Sequence, residues 1–157
     1  MKLQADCRTT VLIINYNSGD ELARTVGAVL NRVSPVELLI VDNASSDDSL
    51  EQVTTQFGTD LNIIRNSENL GFGAACNQGA EYCQTEFILI LNSDCALTDG
   101  AIREFEELMD REPRAALVSG LVVGENGEEQ RGSRRLLPTP SLVMNEMLRR
   151  PGAGIDL

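Results

Sequence analysis

Thr10-Val11-Leu12-Ile13-Ile14, stopped by Asn15-Tyr16-Asn17, is a five-residue apolar and β-branched run followed by amides. It is too short for a helix and has no polar alternation, so it reads as a strand buried on both faces. The pattern recurs downstream: Val36–Val41 stops at Asp42-Asn43, Leu61–Ile64 at Arg65-Asn66, and Phe87–Leu91 at Asn92-Ser93-Asp94. Helical spacing fills the gaps between these runs. Ser18 or Asp20 can cap a first helix with the stripe Leu22, Val26, Val29 and Leu30. Leu50, Val53 and Phe57 mark a second helix near 49–57, and small residues a third over 72–83. Thr98 stands before a fourth carrying Ile102, Phe105, Leu108 and Met109, with Glu104, Glu106, Glu107 and Asp110 on its solvated face. Unbroken strands alternating with helices specify an α/β fold: a mostly parallel sheet covered on both faces, in three layers.

A fifth apolar run, Ala115–Val123, leads to the hairpin signal Glu125-Asn126-Gly127 and a return strand near 129–135. Pro138 and Pro140 then mark a break before a further helical pattern, Ser141–Arg150. The expected organisation is one domain over 1–135 and an arm over 136–157. At 157 residues the chain can bury roughly 68–70% of its unfolded surface, enough for a core without staples.

Composition removes several classes of chemistry. With no histidine, Ser-His-Asp and Cys-His triads, His-ligated zinc and His general bases are excluded. Residues 1–130 carry 22 acids against 8 bases, and 131–150 carry five arginines against Glu146, within a total of −11. A nucleic-acid binder should be basic where it grips, so that class is set aside, and the basic arm reads as solvated. No stretch reaches the roughly 18 apolar residues of a membrane span, and Asp6 and Arg8 interrupt any secretory signal. Cys7, Cys76, Cys83 and Cys95 form no CxxC pair; Cys76 and Cys83 share a helix face and read as small core residues. A reduced, cytoplasmic setting follows.

All four polar turns fall on the carboxyl edge of a parallel sheet, where open α/β sheets bind ligands. Asn and Asp also favour turns for backbone reasons of their own, but four in succession on one edge favour a site. Asp42 could accept hydrogen bonds from a base or ribose. The first turn lacks G-x-G-x-x-G, which disfavours NAD and FAD, and the only lysine is Lys2, which excludes a P-loop. Gly71-Phe72-Gly73-Ala74-Ala75 opens the third helix with small residues; these suit a ligand at the helix N-terminus and close packing on the sheet equally well. Asn77 follows one turn later. Asp94 either binds a hard cation, Mg²⁺ or Mn²⁺, together with water and phosphate oxygens, or caps a turn.

Four segments in order, Val11–Asn17, Leu39–Asp47, Asn69–Asn77 and Leu89–Asp94, resemble the family 2 glycosyltransferases of GT-A (Rossmann-like) fold, and within them the rhamnosyltransferase-like branch. The resemblance covers about 9–95 and continues more weakly to about 145. It implies transfer of a sugar, with inversion, from a nucleotide-diphospho-sugar to an acceptor hydroxyl, this chain being the donor-binding part. It further implies a donor site of Asn15, Tyr16, Asp42, Asn43, Asn69, Gly71, Gly73, Asn77, Asn92 and Asp94. Within that site Tyr16 lies against the base, and Asp94 is the Mg²⁺ or Mn²⁺ ligand at the family's D-x-D position, here reduced to Asn92-Ser93-Asp94. dTDP-rhamnose is the leading donor by this likeness, UDP-sugars next. The implied acceptor is a glycan or lipid-linked glycan of the cell envelope, with the protein cytoplasmic or peripheral to the inner membrane face.

The acidic general base that inversion needs is not recognisable between 124 and 157, where relatives carry an acceptor half. The alternative is therefore a non-catalytic nucleotide-sugar-binding or regulatory module. A nucleotidyltransferase ranks last, because Asn15–Gly19 has no basic residue to hold a triphosphate. Apolar surface left open near the fifth run would invite association, a homo-oligomer being the simplest form.

Overall fold

β1 (Thr9–Asn15) is buried at all seven positions, as an unbroken apolar run at the centre of a sheet should be. The computed structural model describes residues 7–31, 35–59, 61–124 and 126–130. After β1 come α1 (Asp20–Leu30), β2 (Val36–Asp42), α2 (Ser49–Phe57), β3 (Asn62–Arg65), α3 (Phe72–Tyr82), β4 (Phe87–Asn92) and α4 (Ala101–Arg111). These elements belong to the first of two compact units, Met1–Ala116; the second is Leu117–Leu157. The four strands are parallel in the order β3-β2-β1-β4. The chain thus winds outward from β1 to β3, then returns to the opposite flank of β1.

That reversal divides the helices, because parallel crossovers are right-handed. α1, α2 and α4 cover one face, where Leu22, Val26, Val29, Leu50, Val53 and Ile102 pack on Val11, Ile13, Leu38, Ile40 and Leu91. α3 covers the other, with Ala75 and Cys76 against Leu12, Ile14, Leu39 and Val41, and Cys83 packed beside them. The expected core role holds for Cys76; Cys83 follows the end of α3 and is only partly buried. Gly79 makes this approach close: a Cβ there would lie 2.5 Å from Leu12 Cδ1 and 3.1 Å from Val41 Cγ2.

Several expectations are corrected. α3 lies over β1 and β2 rather than β4, so among the described helices none covers that face of β4, where Ile88 and Ile90 are 40% and 49% exposed. Leu30 ends α1 exposed rather than in its stripe. Neither Ser18, Asp20 nor Thr98 caps a helix with its side chain; Gly19 and Gly100 occupy the cap positions. The Ser18 hydroxyl is bonded to Ser93 instead. Two acids of α4 are not merely solvated: Glu106 accepts from the Thr9 hydroxyl and Asp110 pairs with Arg8.

The fifth run forms no strand. Residues 115–122 are irregular, and Leu117 and Leu121 are exposed, since an apolar run becomes a strand only where a neighbour pairs and buries it. Among the described residues the hairpin expectation is met by the turn at Asn126-Gly127 and an antiparallel bridge, Val123 to Glu129. Beyond Gln130, the rest of the return strand, the Pro138–Pro140 break, the Ser141–Arg150 helix and the basic arm lie outside the described residues. No helix among the described residues is long and apolar enough to cross a membrane.

Candidate functional site

The register fixes the edge on which the polar turns meet. Asn15 pairs with Asp42, Asp42 with Arg65, and Ile14 with Asn92. The ladder runs one step further through Asn43 N–H to Asn15 O (2.8 Å) and Asn66 N–H to Asp42 O (2.9 Å). Where the strand order reverses, between β1 and β4, the turns after them diverge and leave a crevice. A cavity of about 460 Å³ opens there, lined by Ile14, Tyr16, Asn17, Ser18, Glu21, Asn43, Asn69, Gly71, Phe72, Asn92, Ser93 and Asp94.

Of the ten residues expected at the site, Tyr16, Asn43, Asn69, Gly71, Asn92 and Asp94 line this cavity. Asn15 and Asp42 stand behind it, 0% and 6% exposed. Asn15 Nδ2 donates to Asp42 Oδ1 at 2.8 Å and also lies 3.0 Å from Ser45 Oγ and 2.9 Å from Ser49 Oγ. Asp42 Oδ2 accepts from Ser45 N–H at 3.3 Å, so its carboxylate is engaged within the protein and offers a ligand only its rim. Gly73 and Asn77 are exposed on α3, outside the lining. Ile14, Asn17, Ser18, Glu21, Phe72 and Ser93 complete the wall beyond the expected set. Ser18 and Glu21 look in sequence like helix-start residues, and their signal was position: both follow the central strand within one helical turn of the reversal.

Two polar networks shape the walls. Asn17, at φ +53°, receives Ser46 N–H (2.8 Å) and Asp47 N–H (3.3 Å) on its Oδ1. Asp47 in turn accepts Gly19 N–H at 2.8 Å and the Ser49 hydroxyl at 2.6 Å. Burial pushes the Asp47 carboxyl up, but the hydrogen bonds from Ser49 and Gly19 outweigh it and hold the group below its ordinary value. The turn after β1 is thereby laced to the turn after β2.

On the other wall Asn43, 2% exposed, donates to Asn69 Oδ1 at 2.7 Å and accepts from Asn66 Nδ2 and Leu70 N–H. Asn66 and Gln78 exchange two amide bonds of 2.9 Å each. This fixes the entry to α3, whose cap Gly71 sits at φ +82° with no side-chain cap on the helix. The first-turn N–H groups and the positive end of the dipole are left for an acceptor.

The lining contains two carboxylates, Glu21 and Asp94, and no lysine or arginine. Asp94 is exposed and accepts a hydrogen bond from Cys95 Sγ at 3.5 Å. Burial and the neighbouring Asp94 charge push the Cys95 thiol up. Among the described residues, no group of three or more His, Cys, Asp or Glu could hold a metal. One exposed carboxylate beside Asn92 and Ser93 oxygens suits a Mg²⁺ or Mn²⁺ ion that takes its remaining ligands from water and phosphate. It does not suit zinc, which wants four protein ligands in a structural site and three in a catalytic one.

The profile described as "Glycosyl transferase family 2" matches residues 10–154. The chain is 25% identical over 149 residues to the N-acetylglucosaminyl-diphospho-decaprenol L-rhamnosyltransferase of Mycobacterium tuberculosis, covering 87% of this chain and 47% of that protein. It thus spans about half the length of this relative. In fold it is similar to Staphylococcus aureus TarS 1–349 in complex with UDP-GlcNAc, with TM-score 0.60, 21% identity, and coverage of 68% of this chain and 32% of that one. The mannosyltransferase PcManGT from Pyrobaculum calidifontis, in complex with GDP-Man and Mn²⁺, gives TM-score 0.60 at 18% identity over 68% and 33%. The four parallel strands, the crevice at their reversal and the match from β1 onward agree: the chain belongs to glycosyl transferase family 2.

Proposed function

We propose that this chain binds the nucleoside diphosphate of a nucleotide-sugar and forms the donor side of an inverting glycosyltransferase. The observation that carries the reading is the cavity at the β1/β4 reversal, with aromatic residues and an exposed carboxylate in its wall and no basic side chain. Tyr16 and Phe72, each about half exposed, offer aromatic faces on which a base can stack. Asn43, Asn69 and the start of α3 supply neutral donors to ribose and phosphate. Asp42 and Asn15 hold the adjoining turn. Two carboxylates cannot by themselves neutralise a diphosphate, so Asp94, with Asn92 and Ser93 beside it, would hold Mg²⁺ or Mn²⁺. Bound there, the ion would stabilise negative charge on the departing nucleoside diphosphate as a Lewis acid.

The likeness to the rhamnosyltransferase favours a deoxyhexose donor on dTDP, with UDP-sugars as competitors. The acceptor is a hydroxyl of a glycan or lipid-linked glycan of the cell envelope. All four cysteines are free thiols, in keeping with a cytoplasmic location.

Calorimetric titration with UDP and dTDP, with and without Mn²⁺, tests the reading. Binding should require the ion, weaken about tenfold or more in Tyr16→Ala, and lose its ion-dependent part in Asp94→Ala, falling to the parent's metal-free level. Absence of binding by the parent chain, or equal binding without a divalent ion, would overturn it.

A further inference from the structure

Thr25 is a hydroxyl in the wrong place for a simple helix. It lies in α1 between Leu22 and Val26 and is 2% exposed, where valine has the same shape and no polar group to desolvate. A helical threonine ordinarily returns its hydroxyl to its own helix. Thr54 in α2 does so, lying 3.1 Å from Leu50 O and 3.0 Å from Glu51 O. Thr25 Oγ1 instead donates across the fold to Ser93 O at 2.9 Å. A second link reaches the same residue, since Ser18 Oγ lies 2.7 Å from Ser93 Oγ. Ser18 O in turn accepts the N–H of Glu21 in the first turn of α1.

We infer that Thr25 is a positioning residue: with Ser18 it fastens the Asn92-Ser93-Asp94 turn to α1 and so sets where the Asp94 carboxylate stands. β4 is the outer strand of the described sheet on that side, and its turn is closed on itself by Cys95 N–H to Asn92 O at 3.2 Å and a long Cys95 Sγ to Asp94 contact. Beyond the packing of Cys95 and Leu97 against the core, the tether from α1 adds a directional restraint on the turn itself. The inference rests on the donor-site reading for its consequence, which is that the ion-dependent part of nucleotide binding depends on a hydroxyl that touches neither ion nor nucleotide.

The test compares Thr25→Val, Thr25→Ser and the control Thr54→Val by two readouts. The first needs no ligand: native-state hydrogen exchange at the Cys95 amide. It should accelerate about fivefold or more in Thr25→Val, stay near the parent rate in Thr25→Ser, and not move in Thr54→Val. The second is the Mn²⁺-dependent affinity for UDP and dTDP, which should fall about fivefold in Thr25→Val, the size of one lost hydrogen bond, and be rescued by Thr25→Ser. Parent-like exchange at Cys95 in Thr25→Val overturns the inference. So does exchange that rises equally along all of α1, because the effect is then general loosening.

If the parent shows no Mn²⁺-dependent binding, the donor-site reading falls while the exchange rates still decide the tether. Should Thr25→Val fail to fold, Ser18→Ala breaks the second link from a partly exposed position. Unchanged Cys95 exchange in that variant would likewise overturn the inference.

Discussion

At the scale of single residues, the wall of the site rests on buried polar groups that stand behind it. Asn15 is the clearest case. Its Nδ2 serves Asp42, Ser45 and Ser49, while its Oδ1 is buried with no hydrogen-bond partner. One unsatisfied oxygen is tolerated because the donors hold a buried carboxylate, a bond stronger than a neutral one. Asn15→Leu should therefore lower stability by about 3 kcal/mol in urea unfolding; a loss under about 1 kcal/mol would show that Asp42 does not depend on it. Asp47 gives a pH prediction. Its folded-state pKa lies below the ordinary carboxylate value, so its contribution is present above the unfolded pKa of about 3.9 and is lost as pH falls through the folded value. Thermal melts from pH 6 to pH 3 should show a steeper acid loss for the parent than for Asp47→Asn. Parallel curves would refute the assignment. That Asn15, Asp42 and Asn43 stand together at the sheet edge was legible in their place at the ends of two strands. Their burial was not, because burial depends on what the next turn lays over them.

At the scale of elements, eight helices and strands emerged within a residue or two of where apolar periodicity put them, since that periodicity is set by local geometry. The caps did not follow the rule. Ser18 and Thr98 satisfy the local preference for helix N-caps, yet a competing partner at Ser93 and a glycine in the left-handed region at Gly100 took their place. α3 shows packing overriding propensity. Gly79 weakens a helix by its nature, but Leu12 and Val41 leave no room for a methyl group. Gly79→Ala should cost about 1–3 kcal/mol rather than stabilise the helix, as chemical denaturation would show. A stability gain would mean that α3 sits further from the sheet. β4 marks the limit of periodicity: Ile88, Leu89, Ile90 and Leu91 look alike in sequence, yet with α3 over β1 and β2 Ile88 and Ile90 stay exposed while Leu91 is buried and Leu89 half-buried on the other face.

At the scale of the whole molecule, 24 acids against 13 bases give a net −11. The compact state then carries self-repulsion that salt screens. Scanning calorimetry in 10 mM and 300 mM NaCl should show Tm rising with salt; a fall would mean that attractive pairs such as Arg8 with Glu86 and Asp110 dominate. That same charge, with no basic side chain in the cavity wall, is why a divalent cation belongs in the functional reading. Amino-acid order suffices for the α/β class, the parallel sheet, the edge on which the polar turns meet and the family. These follow from residue periodicity and from short motifs that need no knowledge of distant partners. Tertiary structure alone decided that Asn15 and Asp42 stand behind the cavity while Ser18 and Glu21 form part of its wall. It also decided that the run after Ala115 remains irregular and that Thr25 reaches the Asp94 turn. Each of these outcomes depends on contacts between residues far apart in the chain, and such contacts exist only once β4 has crossed to the far side of β1.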